Sequence, residues 1–554
     1  MFFLIHTTQN GITIKSRIML GMYRFSHQHP PLVIEWRENL PAGGVKSLKK
    51  IIQTPFYPFL LAAYPVVALL SYNISQVKYP AAIRPLILAC LAAGLLFLIF
   101  RLIYRDAHRA AFIVAVWLLL LFSYGQIYDA ISKEWKIPDF TTWMLAVWLA
   151  LAVLVLILAA LRKLHFEGIA MTLNIVSLGL VIYVLVPVIN WSFIKTARAA
   201  PVKVAQAKQV LQAPAGATLP DIYYIMPEDY GRADMLQDWA QIDTSSFQKF
   251  LKDQGFYVAT CSQSNYATSE LSLGSALQMD YLQNLGPGFN ATNEDQSLIW
   301  NAIRYNTLEA DLKKIGYSTV AFATGFSWSE LDNSDVYITP PPYWSGLTSF
   351  ENLLVRTTPA RHLEDIGLLN LFNIDAERFR TRTLLTFDSV PRLASMPGPK
   401  FVFMHIISPH PPFVFKADGS RISDSASYVD QNGNYTLEKY QQGYREDIPF
   451  VDGQLEKTIS TLLSKSTRPV VIIIQTDTGP WFTTGPDTFT ILNAYYMPGH
   501  TAQLYPGISP VNSFRVVLNA YFNANLPLLN DQSYYSPIPY IYNFSPVSNP
   551  CTAK

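Results

Sequence analysis

TTWMLAVWLALAVLVLILAAL, residues 141–161, decides half of the architecture: it carries no charged side chain and is apolar on every face. A hydrocarbon core of about 30 Å takes roughly 20 such residues in a helix, and a soluble helix would show a polar stripe instead. On either side of it, four more stretches meet the same test, at about 55–74, 85–104, 110–128 and 169–194. The sequence therefore predicts an α-helical membrane domain of five transmembrane helices over residues 55–194. Half of the chain's 554 residues are hydrophobic and only 15% are charged, against about 25% in soluble domains. The deficit is concentrated in this region.

Charges in the short loops set the expected orientation. Lys46, Lys49 and Lys50 precede the first stretch, Arg101, Arg105 and Arg109 lie between the second and third, and Arg162 and Lys163 follow the fourth. Lys133 and Lys136 in an alternate loop are offset by Asp129, Glu134 and Asp139. The positive-inside rule then places the N-terminus in the cytoplasm, and five crossings put everything after residue 195 on the far side. Residues 1–54 lack the layout of a cleavable signal peptide. They read as a cytoplasmic segment, or the chain starts at Met19 or Met22. KTARAAPVKVAQAKQVLQAPAGATLP (195–220) lacks apolar periodicity and reads as a tether over 195–219.

From residue 220 to 554 the pattern changes to short apolar runs alternating with helical stretches, an α/β domain with a mostly parallel central sheet. DIYYIMP (221–227), STVAFAT (318–324), KFVFMHII (400–407) and PVVIIIQT (469–476) are expected strands, the longer ones of the fully buried kind. SLIWNAIRYNTLEADLKKIG (297–316) and TLEKYQQGYREDIPFVDGQLEKTISTLLSKS (436–466) are expected helices. A formal charge of +2 with no basic block excludes a nucleic-acid partner. Few ionisable residues fall inside the apolar stretches, which argues against a transporter or channel. Three cysteines are too few for a disulfide scaffold. Cys90 lies in an apolar stretch. Cys261 and Cys551 lie in the soluble part; whether they pair is open, with unpaired thiols the default.

Ligands bind at the carboxyl ends of strands in open α/β sheets. Glu228 and Asp229 follow the first strand, Ser408 and His410 the third, and Asp477 and Thr478 the fourth, while Thr268 and Ser269 open the helical stretch SELSLGSALQ. Carboxylates and a hydroxyl are hard-metal ligands. A bound cation would lower the hydroxyl pKa and neutralise the oxygens of a phosphate or sulfate ester. Ser269 at a helix N-terminus would add backbone N–H donors for that anion. Each of these residues has an ordinary alternative: solvated loop acids, a helix cap at Ser269, and a turn residue at His410. His405, within a strand, reads as a packed core histidine.

Six blocks carry a resemblance. They are PDIYYIMPEDYGRADML, GFYVATCSQSNYATSELSLGSALQMDYL, FMHIISPHPPFVF, RPVVIIIQTDTGP, ILNAYYMPG and YPGISPVNSFRVVLNAYF. In this order they resemble bacterial membrane proteins with a sulfatase-like domain of the alkaline phosphatase superfamily. The layout is similar to lipoteichoic acid synthases, phosphoglycerol transferases and phosphoethanolamine transferases. The resemblance implies a bacterial cytoplasmic (inner) membrane protein with a periplasmic or extracellular domain, which leaves the N-x-Ser/Thr sites at Asn73, Asn290, Asn434 and Asn543 unused. It implies one divalent metal (Mn, Zn, Mg or Ca) and a lipid-linked or glycan phosphoester substrate. It also implies Ser269 as nucleophile with Thr268 as the fallback, His410 at the substrate or leaving group, and Glu228, Ser269, Asp477 and Thr478 at the metal. Thr478 departs from the family, which has a histidine there; a threonine hydroxyl is a much poorer ligand. His500 reads as an exposed loop histidine, or folds inward to supply the missing imidazole. Two functions are expected on these grounds: a metal-dependent ester hydrolase or transferase, or a catalytically impaired relative that binds an envelope component.

Overall fold

A computed structural model describes residues 53–74, 77, 79–134, 139–161, 167–191, 211–212, 216, 218–341, 347–365, 375–422 and 435–551. Met19, Met22, Lys46, Lys49, Lys50, Lys136, Arg162, Lys163, Asn434 and most of the expected tether fall outside them.

Five apolar helices come first: α1 (Tyr57–Tyr72), α2 (Ile83–Tyr104), α3 (Ala107–Glu134), α4 (Phe140–Ala160) and α5 (Glu167–Ile189). Four of the five expected spans are long and apolar enough to cross a membrane, whereas α1 has 16 residues. Local chemistry limits α1. Pro58 lies in its first turn, where the missing N–H costs nothing, and Asn73 ends it. Its N-terminus is capped from another helix: Asn174 Oδ1 on α5 accepts the N–H groups of Tyr57 at 2.8 Å and Phe56 at 3.2 Å.

The rest of the chain builds a seven-stranded sheet in the order β2-β7-β6-β1-β5-β3-β4. The strands are β1 (Asp221–Pro227), β2 (Tyr257–Val258), β3 (Ser318–Phe322), β4 (Val336–Ile338), β5 (Lys400–Ile406), β6 (Val470–Gln475) and β7 (Asn493–Tyr496). β6, β1, β5, β3 and β4 run parallel, and β7 and β2 form an antiparallel edge. The four expected strands fall where the apolar runs placed them. β1, β5 and β6 are buried along their whole length, because helices cover both faces of the sheet.

Alternation along β1 divides the core in two. Tyr223 and Ile225 point to one side, with α6 (Ala233–Ala240), α7 (Ser245–Asp253) and residues of the later helices. Ile222, Tyr224 and Met226 point to the other, with α8 (Ser269–Gln278), α9 (Ser297–Arg304) and α10 (Thr307–Lys314). The expected single helix over 297–316 is thus two. Asn306 breaks it, its side chain accepting the Glu309 N–H as the cap of α10.

Next come α11 (Ser349–Arg356), α12 (His362–Asp365), α13 (Asp375–Asp388) and α14 (Val390–Ala394), then α15 (Leu437–Lys465) and α16 (Pro510–Phe522). α15 runs unbroken from its Thr436 cap with Pro449 inside it, and with α13 and α14 it supplies core residues on the Tyr223 side, while α16 lies on the Tyr224 side. Cys261 and Cys551 are bridged, with Cα atoms 5.5 Å apart. This corrects the default of two unpaired thiols: the fold brings together residues 290 apart in sequence, a proximity that no local pattern encodes.

The stretch 348–362 meets the membrane helices. Glu351 closes a capping box with Thr348 and also accepts Arg84 Nε of α2 at 2.6 Å. Arg361 reaches Asp129 at 2.9 Å and lies over the Tyr128 ring at 4.6 Å, and Tyr124 meets His362 at 2.8 Å.

Candidate metal-and-nucleophile site

Three strand ends converge. β1 delivers Glu228 and Asp229, β6 delivers Asp477 and Thr478, and β5 delivers His405 and the turn to His410. Glu228, Asp229 and Asp477 are buried and each offers a carboxylate oxygen within 4.8 Å of the others. Strand register brings them together. β1 lies between β5 and β6, with Ile225 paired to Ile474 and Met226 to His405, so the side chains beyond these rungs must meet.

The backbone at Asp229 is left-handed, with φ of 56°. Aspartate tolerates that region better than most residues, and the conformation aims the Asp229 N–H at Asp477 Oδ1, 3.1 Å away. Thr478 Oγ1 donates to Asp229 Oδ1 at 2.9 Å. Thr478 therefore orients a carboxylate. Asp229 Oδ2 and Asp477 Oδ2 are buried without a hydrogen-bond partner.

Ser269 is the first residue of α8, and its hydroxyl donates to Glu228 Oε1 at 2.9 Å. Thr268, the residue before, is the N-cap in extended conformation and its side chain makes no capping bond. The structure thus brings Ser269 to the carboxylates and leaves Thr268 beside it. His410 is half-buried; its Nδ1 lies 2.6 Å from the Pro411 carbonyl, which fixes a proton on Nδ1, and its ring meets Phe326 edge-on.

His405 meets the core-histidine expectation and adds a contact to it. Its ring is buried and packs on Phe403 and Trp328 as a core residue would, yet its Nε2 contacts Glu228 Oε2. His500 packs on Tyr521, with ring centroids 4.6 Å apart, and is outside the carboxylate cluster. Sequence reasoning missed His405 as a partner of the carboxylates, and it named Asp229 as a strand-end acid without placing it at the metal. Asp229 carried a signal, as the second acid after a strand. His405 carried none, since a strand histidine reads the same wherever its side chain points.

Burial raises the pKa of Glu228, and the positive form of His410 and the Ser269 hydroxyl partly offset it. Burial raises Asp477 as well, with the negative charge of Glu228 adding to it. Asp229 is raised by burial, then by Asp477 and Glu228. Burial lowers His405 to about 4, which keeps its imidazole neutral. Among the described residues no lysine or arginine is ion-paired with the three carboxylates. Such a cluster either holds protons or holds a cation. The unpartnered carboxylate oxygens and the Ser269 hydroxyl form an oxygen donor set that fits a divalent metal.

No protein-family model and no curated protein matches the chain. Among solved structures it is similar to the integral membrane protein lipooligosaccharide phosphoethanolamine transferase A from Neisseria meningitidis, at 11% identity and a TM-score of 0.36, over 84% of this chain and 95% of that one. The C-terminal periplasmic domain of phosphoethanolamine transferase EptC from Campylobacter jejuni matches at 12% and 0.34, over 60% and 97%. The phosphonate monoester hydrolase of Agrobacterium radiobacter matches at 12% and 0.36, over 57% and 80%.

Proposed function

We propose that the chain is a membrane-anchored, metal-dependent enzyme that transfers or hydrolyses phosphate esters, or sulfate esters, of envelope lipids or glycans. The observation that carries this is the Ser269 hydroxyl at the N-terminus of α8, hydrogen-bonded to Glu228 inside a buried cluster of three carboxylates.

Glu228, Asp229, Asp477 and Ser269 would hold the metal, and a divalent cation there supplies charge to the ester oxygens and acidity to the serine hydroxyl. Its donors are oxygen, which suits Mg, Ca or Mn. Ser269 Oγ attacks phosphorus and passes its proton to Glu228 Oε1, which already accepts its hydrogen bond. The free N–H groups of the first turn of α8 face the anion. As the bond from phosphorus to the ester oxygen breaks, His410 Nε2 protonates the departing alkoxide, its Nδ1–H held by the Pro411 carbonyl. A water or an acceptor hydroxyl then attacks the phosphoserine. His410 Nε2 takes the attacking proton, and Glu228 returns the first one to Ser269.

Five spans, with α1 shorter than the rest, would place the catalytic domain outside the cytoplasm and hold a lipid-borne donor beside the site. That points to transfer over hydrolysis, by analogy with the resembled transferases. The impaired reading raised by Thr478 is not favoured: Asp229 supplies a third carboxylate, and Thr478 orients it.

The test uses the full chain in detergent with chromogenic phosphomonoester, phosphodiester and sulfate ester probes. Ser269→Ala should lower turnover by a factor on the order of 10³ or more and abolish trapping of labelled phosphate on the protein. Retention by Ser269→Ala with loss in Thr268→Ala would move the nucleophile one residue back. No turnover of any probe by the metal-loaded wild type would end the enzyme reading.

A further inference from the structure

The residue at position 478 cannot act as an imidazole, but an imidazole touches the cluster from another strand. His405 is the sixth of the seven residues of β5 and pairs in register with Met226, two residues before Glu228. Its side chain is fully buried, stacked on Phe403 at 5.9 Å and tilted against Trp328 at 5.4 Å. Those contacts leave it little rotational freedom. Nε2 meets Glu228 Oε2, while Glu228 Oε1 is the atom that accepts the Ser269 hydroxyl. One carboxylate is thereby held at both oxygens, by the imidazole on one side and the nucleophile on the other. Nδ1 is buried with no hydrogen-bond partner.

We propose that His405 is the positioning residue of the metal site: its Nε2–H anchors Glu228 Oε2 and keeps Oε1 turned to Ser269. Partners that orient ligand side chains are worth tenfold to a hundredfold in metal affinity. This inference rests on the reading of Glu228, Asp229 and Asp477 as metal ligands.

The experiment measures Mn²⁺ binding to the chelator-treated full chain in detergent, from the electron paramagnetic resonance signal of free Mn²⁺, with no turnover involved. His405→Phe keeps the ring and its stacking on Phe403 and Trp328 but removes both nitrogens. His405→Gln keeps a side-chain N–H. The expected result is tenfold to hundredfold weaker Mn²⁺ binding in His405→Phe at an unchanged metal-free melting temperature, with most of the affinity restored in His405→Gln. His405→Leu replaces the Phe variant if that one does not fold. Wild-type affinity in a folded apolar variant would overturn the positioning role and leave the metal site standing. Equal losses in the Phe and Gln variants would also overturn it, since a restored side-chain N–H would then recover nothing. A wild type that binds no Mn²⁺ would remove the metal reading and this inference together.

Discussion

Asp447 shows how a single buried group ties the fold to pH. It sits in α15 with no exposed surface, accepts the Ser408 hydroxyl at 2.6 Å, and is pushed up to about 7 by burial, the hydroxyl partly offsetting this. The folded chain therefore binds this proton more tightly than the unfolded chain, whose carboxyl titrates near 4. Stability from the group is greatest below the unfolded value and is lost as pH rises through the folded one, across about pH 4 to 7. The amide introduced by Asp447→Asn does not titrate. The melting temperature of Asp447→Asn relative to wild type should therefore rise between pH 5 and pH 8 in thermal scans of the detergent-solubilised chain. A difference that stays flat with pH would mean that the carboxyl does not change protonation in that range. At this scale the sequence was a fair guide to the acids. Glu228 and Asp477 were legible because each follows a run that could only be a buried strand. Asp229 was legible as a strand-end acid but not as the neighbour of Asp477, and His405 was not legible at all, because both depend on where a side chain points once β1, β5 and β6 lie side by side.

Elements carry the contact between the α/β part and the apolar helices. Gly125 in α3 donates its N–H to the Thr357 carbonyl at 2.9 Å, and a Cβ built there would lie 2.2 Å from the Arg356 carbonyl oxygen. Backbone meets backbone, so neither side can yield by changing a rotamer. Gly125→Ala should push α11 and the turn after it off α3 at a cost of about 1–3 kcal/mol, read as faster protease cleavage within 347–365 and a lower melting temperature. Gly179→Ala in α5 is the control, since a Cβ there meets nothing within 4 Å; equal effects from the two would sink the idea of a tight docking contact. The break between α9 and α10 also belongs to this scale. An amphipathic pattern runs through 297–316, but Asn306 with Glu309 three residues later is a start signal, and the start signal prevailed over the periodicity.

Across the whole molecule, the bridge between Cys261 and Cys551 ties the tail to the loop that leads into Ser269. Closing a long loop restricts the unfolded chain, an effect typically worth about 2–4 kcal/mol. Replacing both cysteines with serine should lower the melting temperature, and a reducing agent should do the same to wild type but not to the double variant. A double variant that melts like wild type would show that the tail is held by its other contacts, such as Asn549 Nδ2 on the Cys261 carbonyl.

The apolar helices, the buried parallel strands and the order of the motifs could all be read from the residues in line, because these depend on periodicity and length, which are local. The disulfide, the third carboxylate and the histidine on Glu228 came only with the folded chain. Each of those needs residues far apart in sequence to meet, and the meeting is set by strand order and register, which hydrophobic patterning leaves free.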